Sequence, residues 1–172
     1  SFTGEQFPVI TAADDGLVKL WDLSKVGKTK PRLIWSSNQV HDRGIFAMEV
    51  RGRSVVTGSK DKTVSLSHLD PAGGPLESLS RYSLHSGVVK GVDMKLDEHV
   101  LASAGQDRCV CVTDTRKMSG DSADIEIEEC HAGGVHSVQF QPYGDDHLLL
   151  TAGMDPVVKL FDLRRVKSGA EP

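Results

Sequence analysis

The 172-residue chain has few cysteines, no long apolar run and little net charge. Its three cysteines, Cys109, Cys111 and Cys130, are odd in number. That argues against a disulfide framework and fits a reducing compartment, so the cytoplasm, the nucleus or both is the expected location. No stretch approaches the roughly 20 apolar residues of a membrane-spanning helix. No charged n-region, apolar h-region and cleavage site open the sequence. A formal charge of −4 and a pI of about 5.9 give no general footprint for nucleic acid or an anionic membrane. Helical periodicity is weak throughout. Hydrophobic residues make up 38%, enough for a slightly lean core, and the length alone allows a single domain. The sequence starts at Ser1 without a methionine, so its natural start is expected upstream.

What is present is a repeat. A Thr or Ser is followed four residues later by a turn Asp in Thr11/Asp15, Thr57/Asp61, Ser103/Asp107 and Thr151/Asp155. From Asp15 to Asp61, to Asp107 and to Asp155 the intervals are 46, 46 and 48 residues. Repeats of about 40 to 50 residues signal a stacked array. Each unit reads as short β-prone runs separated by turns rich in Asp and Gly, which suit tight turns through backbone bonding and positive φ. The runs are 8–12 and 17–21 in the first unit, then 45–50, 54–57 and 63–67, then 89–94, 100–104 and 109–113, then 135–140, 148–152 and 157–161. Residues 2–5 read as the end of a strand and its turn. Residues 144–147 read as a polar turn. Segments 32–36, 76–83 and 124–129 supply a fourth, outer strand; Ile125 and Ile127 alternate with acids, as in a half-exposed strand. Small four-stranded sheets bury both faces only by stacking, which is the logic of a β-propeller.

The sequence resembles the WD-repeat (WD40) family over nearly its whole length. The resemblance is carried by Leu17-Val18-Lys19-Leu20-Trp21-Asp22-Leu23, Val157-Val158-Lys159-Leu160-Phe161-Asp162-Leu163, Thr57-Gly58-Ser59-Lys60-Asp61 and Ser103-Ala104-Gly105-Gln106-Asp107. A His opens each complete unit, at His41, His85 and His131. The resemblance implies that this His, the Ser/Thr, the turn Asp and a Trp form a buried hydrogen-bonded set bracing each blade. The Trp position is kept only by Trp21; Ser67, Thr113 and Phe161 replace it later. The expected fold class is therefore all-β, with about three and a half WD-repeat units of four-stranded antiparallel sheets, part of a seven-bladed ring. The expected division of 1–172 is a partial blade at 1–36, blades at 37–83 and 84–129, a blade without its outer strand at 130–165, and a tail at 166–172. The remaining blades are expected from missing sequence, a second copy or another chain.

The recurrent Asp and His mark architecture, so no catalytic residue, metal ligand or cofactor is expected. Cys109 and Cys111 share one face of a strand, but with Cys130, His131 and His136 they lack the paired spacing of a zinc site. Gly73-Gly74 and Gly133-Gly134 lack the lysine of a phosphate loop and read as turns. Lys25, Lys28, Lys30 and Arg32 form a basic loop that reads as solvated. The resemblance implies a partner-binding set at the channel mouth: Phe46, Lys90 and His136 early on the inner strands, and Asp14, Lys60, Gln106 and Met154 just before each turn Asp. It also implies an adaptor-binding reading, because Asp155, Asp162 and Arg164, and Asp107, Asp114 and Arg116, have WDxR-like spacing. The expected function is a non-catalytic scaffold for a protein or peptide partner within a multiprotein complex. Two alternatives are a substrate receptor of a cullin–RING ubiquitin ligase and a reader of histone tails. Nucleic acid, membrane and small-molecule substrates are not expected partners.

Overall fold

The computed structural model describes residues 8–24, 27, 30–117, 122–143 and 147–166, and these are all-β. The first sheet is β1 (Pro8–Ala12), β2 (Val18–Asp22) and β3 (Arg32–Ser36). The second is β4 (Ile45–Arg51), β5 (Ser54–Ser59), β6 (Val64–His68) and β7 (Glu77–Tyr82). The third is β8 (Val89–Met94), β9 (Val100–Gly105), β10 (Val110–Asp114) and β11 (Ile125–Ile127). The fourth is β12 (Val135–Phe140), β13 (Leu148–Gly153) and β14 (Val158–Asp162). Every pairing is antiparallel between sequence neighbours. These are blades of a propeller.

The period-2 alternation of each central strand distributes its side chains between two neighbours. Val55 packs with Val18, Leu20 and Trp35 of the first blade, whereas Val56 packs with Val89, Met94 and Leu101 of the third. On β9, Leu101 faces the second blade and Ala102 joins Phe140, Leu149 and Phe161 of the fourth. All six residues of β5 are buried as a result. On the fourth blade Leu149 and Phe161 are buried while Leu150, Val158 and Leu160 are exposed, so its second face is uncovered among the described residues.

Turn chemistry sets the strand ends. The sequence suggests that the third strands begin at Leu17, Thr63 and Cys109; each begins one residue later. Asp15, Asp61 and Asp107 accept the N–H of those residues at 3.1, 3.0 and 3.2 Å, holding them in the turn. The residue after the turn Asp is left-handed in three blades, at Gly16, Lys62 and Arg108. Pro156 stands there in the fourth, and its ring fixes φ near −65°. The readings of residues 2–5, Lys25 and Lys28 lie outside the described residues, as do 144–146 and all of the 166–172 tail except Val166, which packs on the core between the third and fourth blades.

Candidate functional site

Three members of the bracing set, the His, the Ser/Thr and the turn Asp, join in each blade that has its His, and no blade holds all four. His41 bonds Thr57 Oγ1 at 2.8 Å through Nε2 and Asp61 Oδ2 at 3.1 Å through Nδ1. His85 bonds Ser103 Oγ at 2.8 Å and Asp107 Oδ2 at 3.0 Å. His131 bonds Thr151 Oγ1 at 2.8 Å and Asp155 Oδ1 at 2.7 Å. In the first blade, Trp21 Nε1 donates to Thr11 Oγ1 at 2.9 Å.

Burial lowers the pKa of His41 despite the opposing pull of Asp61, so the ring is neutral. Burial alone would raise Asp61, but hydrogen bonds from the Thr63 hydroxyl and N–H outweigh it and hold the carboxyl at about 2. Asp107 is likewise held at about 2: burial, the largest influence, would raise it, but the hydrogen bond and electrostatic pull of His85 and the N–H groups of Cys109 and Gly87 together outweigh it. An ionised carboxylate only accepts hydrogen bonds, so Nδ1 of His41 carries the proton and Nε2 accepts from Thr57. Arg81 extends this network by donating to Thr63 Oγ1 at 3.0 Å, Asp61 Oδ2 at 2.6 Å and Asp42 Oδ2 at 2.9 Å. These titratable groups are engaged with one another inside their own blades.

The mouth candidates occupy a repeated backbone irregularity. Ile45 pairs with Ser59 and Ala47 with Gly58, which leaves Phe46 as the extra residue of a bulge. Lys90 is the extra residue between the Val89–Gly105 and Gly91–Ala104 pairs. His136 is the extra residue between Val135–Gly153 and Ser137–Ala152. A bulge breaks the ladder and redirects one side chain, and bulges concentrate beside functional sites. The residues before the turn Asp lie at the same end of the sheets. Lys60, Gln106 and Met154 donate their N–H to the carbonyls of Gly44, Val88 and Gly134 at 2.9, 2.9 and 3.0 Å. Asp14 packs over Gly44, where an added methyl would fall 3.1 Å from Asp14 Cα.

Adjacent blades approach closely here. A methyl added at Gly91 would fall 3.0 Å from the His136 carbonyl oxygen. The Lys90 Nζ sits 3.6 Å from the centroid of the Phe46 ring, joining the second and third blades. Phe46 is 49% exposed and Met154 68% exposed. Asp14, Lys60, Gln106 and His136 are also exposed, and Lys90 is half-buried.

The WDxR-like residues divide between two ends. Asp114 accepts the Arg116 N–H, Nε and Nη2 at 3.0, 2.9 and 2.6 Å; Asp162 accepts those of Arg164 at 3.1, 2.8 and 2.7 Å. These charge-assisted bonds from its own Arg hold Asp114 well below the usual carboxylate range and Asp162 at about 2. Both guanidinium side chains remain largely exposed, at 64% and 54%. Asp114 and Arg164 line one groove of about 210 Å³ at the seam of the third and fourth blades. Asp107 and Asp155 are not brought to this groove: they sit in the turns before β10 and β14, bonded to His85 and His131.

Cys111 and Cys130 are buried and Cys109 is half-buried. Burial pushes the Cys109 and Cys130 thiols up to about 11 and Cys111 higher still. Among the described residues no three His, Cys, Asp or Glu side chains are placed to hold a metal ion, and no helix is long and apolar enough to cross a membrane.

Sequence reasoning missed Asp93. Its buried carboxylate accepts Met94 N–H at 2.8 Å, Phe140 N–H at 2.6 Å and Arg51 Nη2 at 3.4 Å, touching three blades. The signal was an acid between Val92 and Met94 in a strand that buries most of its residues, a local conflict that calls for a partner.

Residues 125–162 match the family model described as WD domain, G-beta repeat. The WD-40 repeat-containing protein MSI4 of Arabidopsis thaliana is 25% identical over 194 residues, covering 92% of this chain and 38% of that protein. The DDB1- and CUL4-associated factor 13 of Xenopus laevis is 30% identical over 160 residues, covering 91% and 33%. The RbAp48-related WD40 repeat-containing protein prw1 of Schizosaccharomyces pombe is 31% identical over 118 residues, covering 66% and 27%. The chain thus spans between 27% and 38% of the length of these relatives. With His–Asp bracing in three blades, stacked three- and four-stranded antiparallel sheets and this matching repeat, the chain belongs to the WD-repeat family.

Proposed function

We propose that these blades are part of a non-catalytic scaffold that holds a protein or peptide segment at the mouth, within a multiprotein complex. One observation carries this reading. The same bulge recurs in three blades and each time redirects a different side chain, Phe46, Lys90 and His136, to one end of the sheets. Asp14, Lys60, Gln106 and Met154 complete the set. The repeated geometry with varied chemistry suits recognition, while the Asp–His pairs serve bracing. Nothing in this reading requires a cofactor or a metal. A few anchors in pockets dominate such binding. Phe46→Ala and Met154→Ala, made separately in the full chain, test it by affinity capture and mass spectrometry. Loss of the same partners at unchanged melting temperature supports the reading; an unaltered partner set overturns it.

The proposed blades span 1–36, 37–83, 84–129 and 130–165, followed by a tail, within a ring of about seven. The open apolar face at Leu150, Val158 and Leu160 supports a further blade stacking there.

A second reading is a substrate receptor of a cullin–RING ubiquitin ligase. It is favoured by two observations: the similarity to a DDB1- and CUL4-associated factor, and the exposed Arg116 and Arg164 beside one seam. A planar guanidinium suits bidentate pairing with adaptor carboxylates. In this reading Asp114 and Asp162 orient the two arginines, and Asp107 and Asp155 act only through blade bracing. Arg116→Glu with Arg164→Glu abolishes capture of DDB1 if it holds; unchanged capture sinks it. The histone-tail reading fits less well, because Lys60 and Lys90 outnumber Asp14 at the mouth.

A further inference from the structure

Resting on the mouth reading above, we infer that the segment held there is acidic and carries an apolar anchor, seated across the second and third blades. The charges at this end of the sheets are unbalanced. Apart from Asp14, the carboxylates beside these candidates are engaged internally: Asp61, Asp107 and Asp155 by histidines, Asp42 by Arg81 and Asp15 by Lys19. Among the described residues, Lys60 and Lys90 have no carboxylate partner. Lys60 is fixed at this end by its N–H bond to Gly44, two residues from Phe46. Lys90 rests over the Phe46 ring at 3.6 Å.

That pair has a defined chemistry. The ring quadrupole attracts the ammonium but satisfies it only in part, since an ammonium has three donors and a ring face replaces no more than some of them. The remaining N–H donors are open to a ligand carboxylate. Phe46 is about half exposed beside the ammonium it holds, so the same two residues offer an apolar surface and a placed cation. A carboxylate reaching Lys90 replaces no existing ion pair among the described residues and leaves no buried acid uncompensated. A basic segment would meet two cations with Asp14 as its counter-charge on the first blade. Like-charge juxtaposition of that kind disfavours wrong partners. Recognition therefore pairs carboxylates with Lys60 and Lys90, and an aliphatic or aromatic side chain with Phe46.

The test pans the full chain against a displayed random-peptide library, with selected sequences resynthesised and their affinities measured by fluorescence anisotropy. Selected peptides should combine Asp or Glu with a large apolar residue. Their binding should weaken by about tenfold or more in Lys60→Glu with Lys90→Glu, weaken in Phe46→Ala, and fall as salt rises. Panning the double lysine variant should then yield basic peptides, a reversal that misfolding cannot imitate. Basic or neutral peptides selected by the unaltered chain, with binding lost in Phe46→Ala, would overturn the acidic assignment while leaving the mouth as a binding site. Selected peptides indifferent to Phe46, Lys60 and Lys90, or no selected peptide at all, would overturn the mouth reading and this inference together.

Discussion

Oδ2 of Asp93 accepts the backbone N–H of Phe140 at 2.6 Å across the seam between the third and fourth blades. The donor belongs to β12, an inner strand whose far side has no ladder partner in its own sheet. A buried carboxylate of one blade thus satisfies an edge amide of the next. Oδ1 of the same carboxylate faces Arg51 of the second blade, which also pairs with Glu49 at 2.9 Å.

Replacing Asp93 with Ala leaves the Phe140 amide and the Arg51 guanidinium without this acceptor. The orphaned amide and the lost ion pair, with Arg51 left to Glu49 alone, together cost about 2–4 kcal/mol. Asp93→Asn keeps one acceptor oxygen and should cost less. Urea unfolding of both variants checks the order; an Asp93→Ala change as mild as a surface substitution would contradict the seam role.

Thr113 stands where the family pattern has Trp, and its buried hydroxyl has no hydrogen-bond partner among the described residues. Thr113→Val keeps the shape and removes the orphan, so stability should rise by about 1 kcal/mol. A higher urea midpoint with unchanged slope is the expected result.

Acid should weaken the fold in two stages. His41 titrates below its ordinary 6.5 because burial disfavours the charged ring. The unfolded chain therefore binds that proton first, and stability falls as pH drops through 6.5 toward the lower folded value. Asp61 and Asp107 lie at about 2 rather than 3.8, so their contribution is whole above 3.8 and is lost as pH falls toward 2. Urea midpoints measured across this range at fixed ionic strength should decline at both stages. A midpoint that rises on acidification from neutrality would refute the assignment of a neutral His41.

Gly91 faces the backbone of the fourth blade: an added methyl would lie 3.0 Å from the His136 oxygen, 3.1 Å from Ser137 Cα and 3.2 Å from Val138 N. None of these atoms can rotate aside. Gly91→Ala should cost about 1–3 kcal/mol by forcing the seam apart. It should also disturb the mouth, because Lys90 and His136 border the same contact.

The strands and the bracing triads were legible because each rests on local grammar. Spacing marks Thr57 and Asp61, turn chemistry places their backbone and the family resemblance adds His41; the structure joins the three as that resemblance implies. Phe46, Lys90 and His136 were legible as positions but not as bulges. A bulge is a mismatch of register between two strands, and neither strand's sequence records it alone. Asp93 was illegible for a related reason: its partners, Arg51 and the Phe140 amide, lie 42 and 47 residues away. The pairing of Lys90 with Phe46 likewise arises only once two blades are stacked.

The alternation of Val55 with Val56, and of Leu101 with Ala102, has an energetic corollary. Each central strand divides its apolar contacts between two neighbours, so little of a blade's cohesion belongs to that blade alone. The array behaves as a one-dimensional lattice of nearest-neighbour couplings. A lesion such as Asp93→Ala should loosen the sheets on either side of its seam and leave the first blade's amides exchanging at their usual rate. Exchange should be slowest in β5 and β9, which are clasped from both sides, and should quicken toward any face left uncovered.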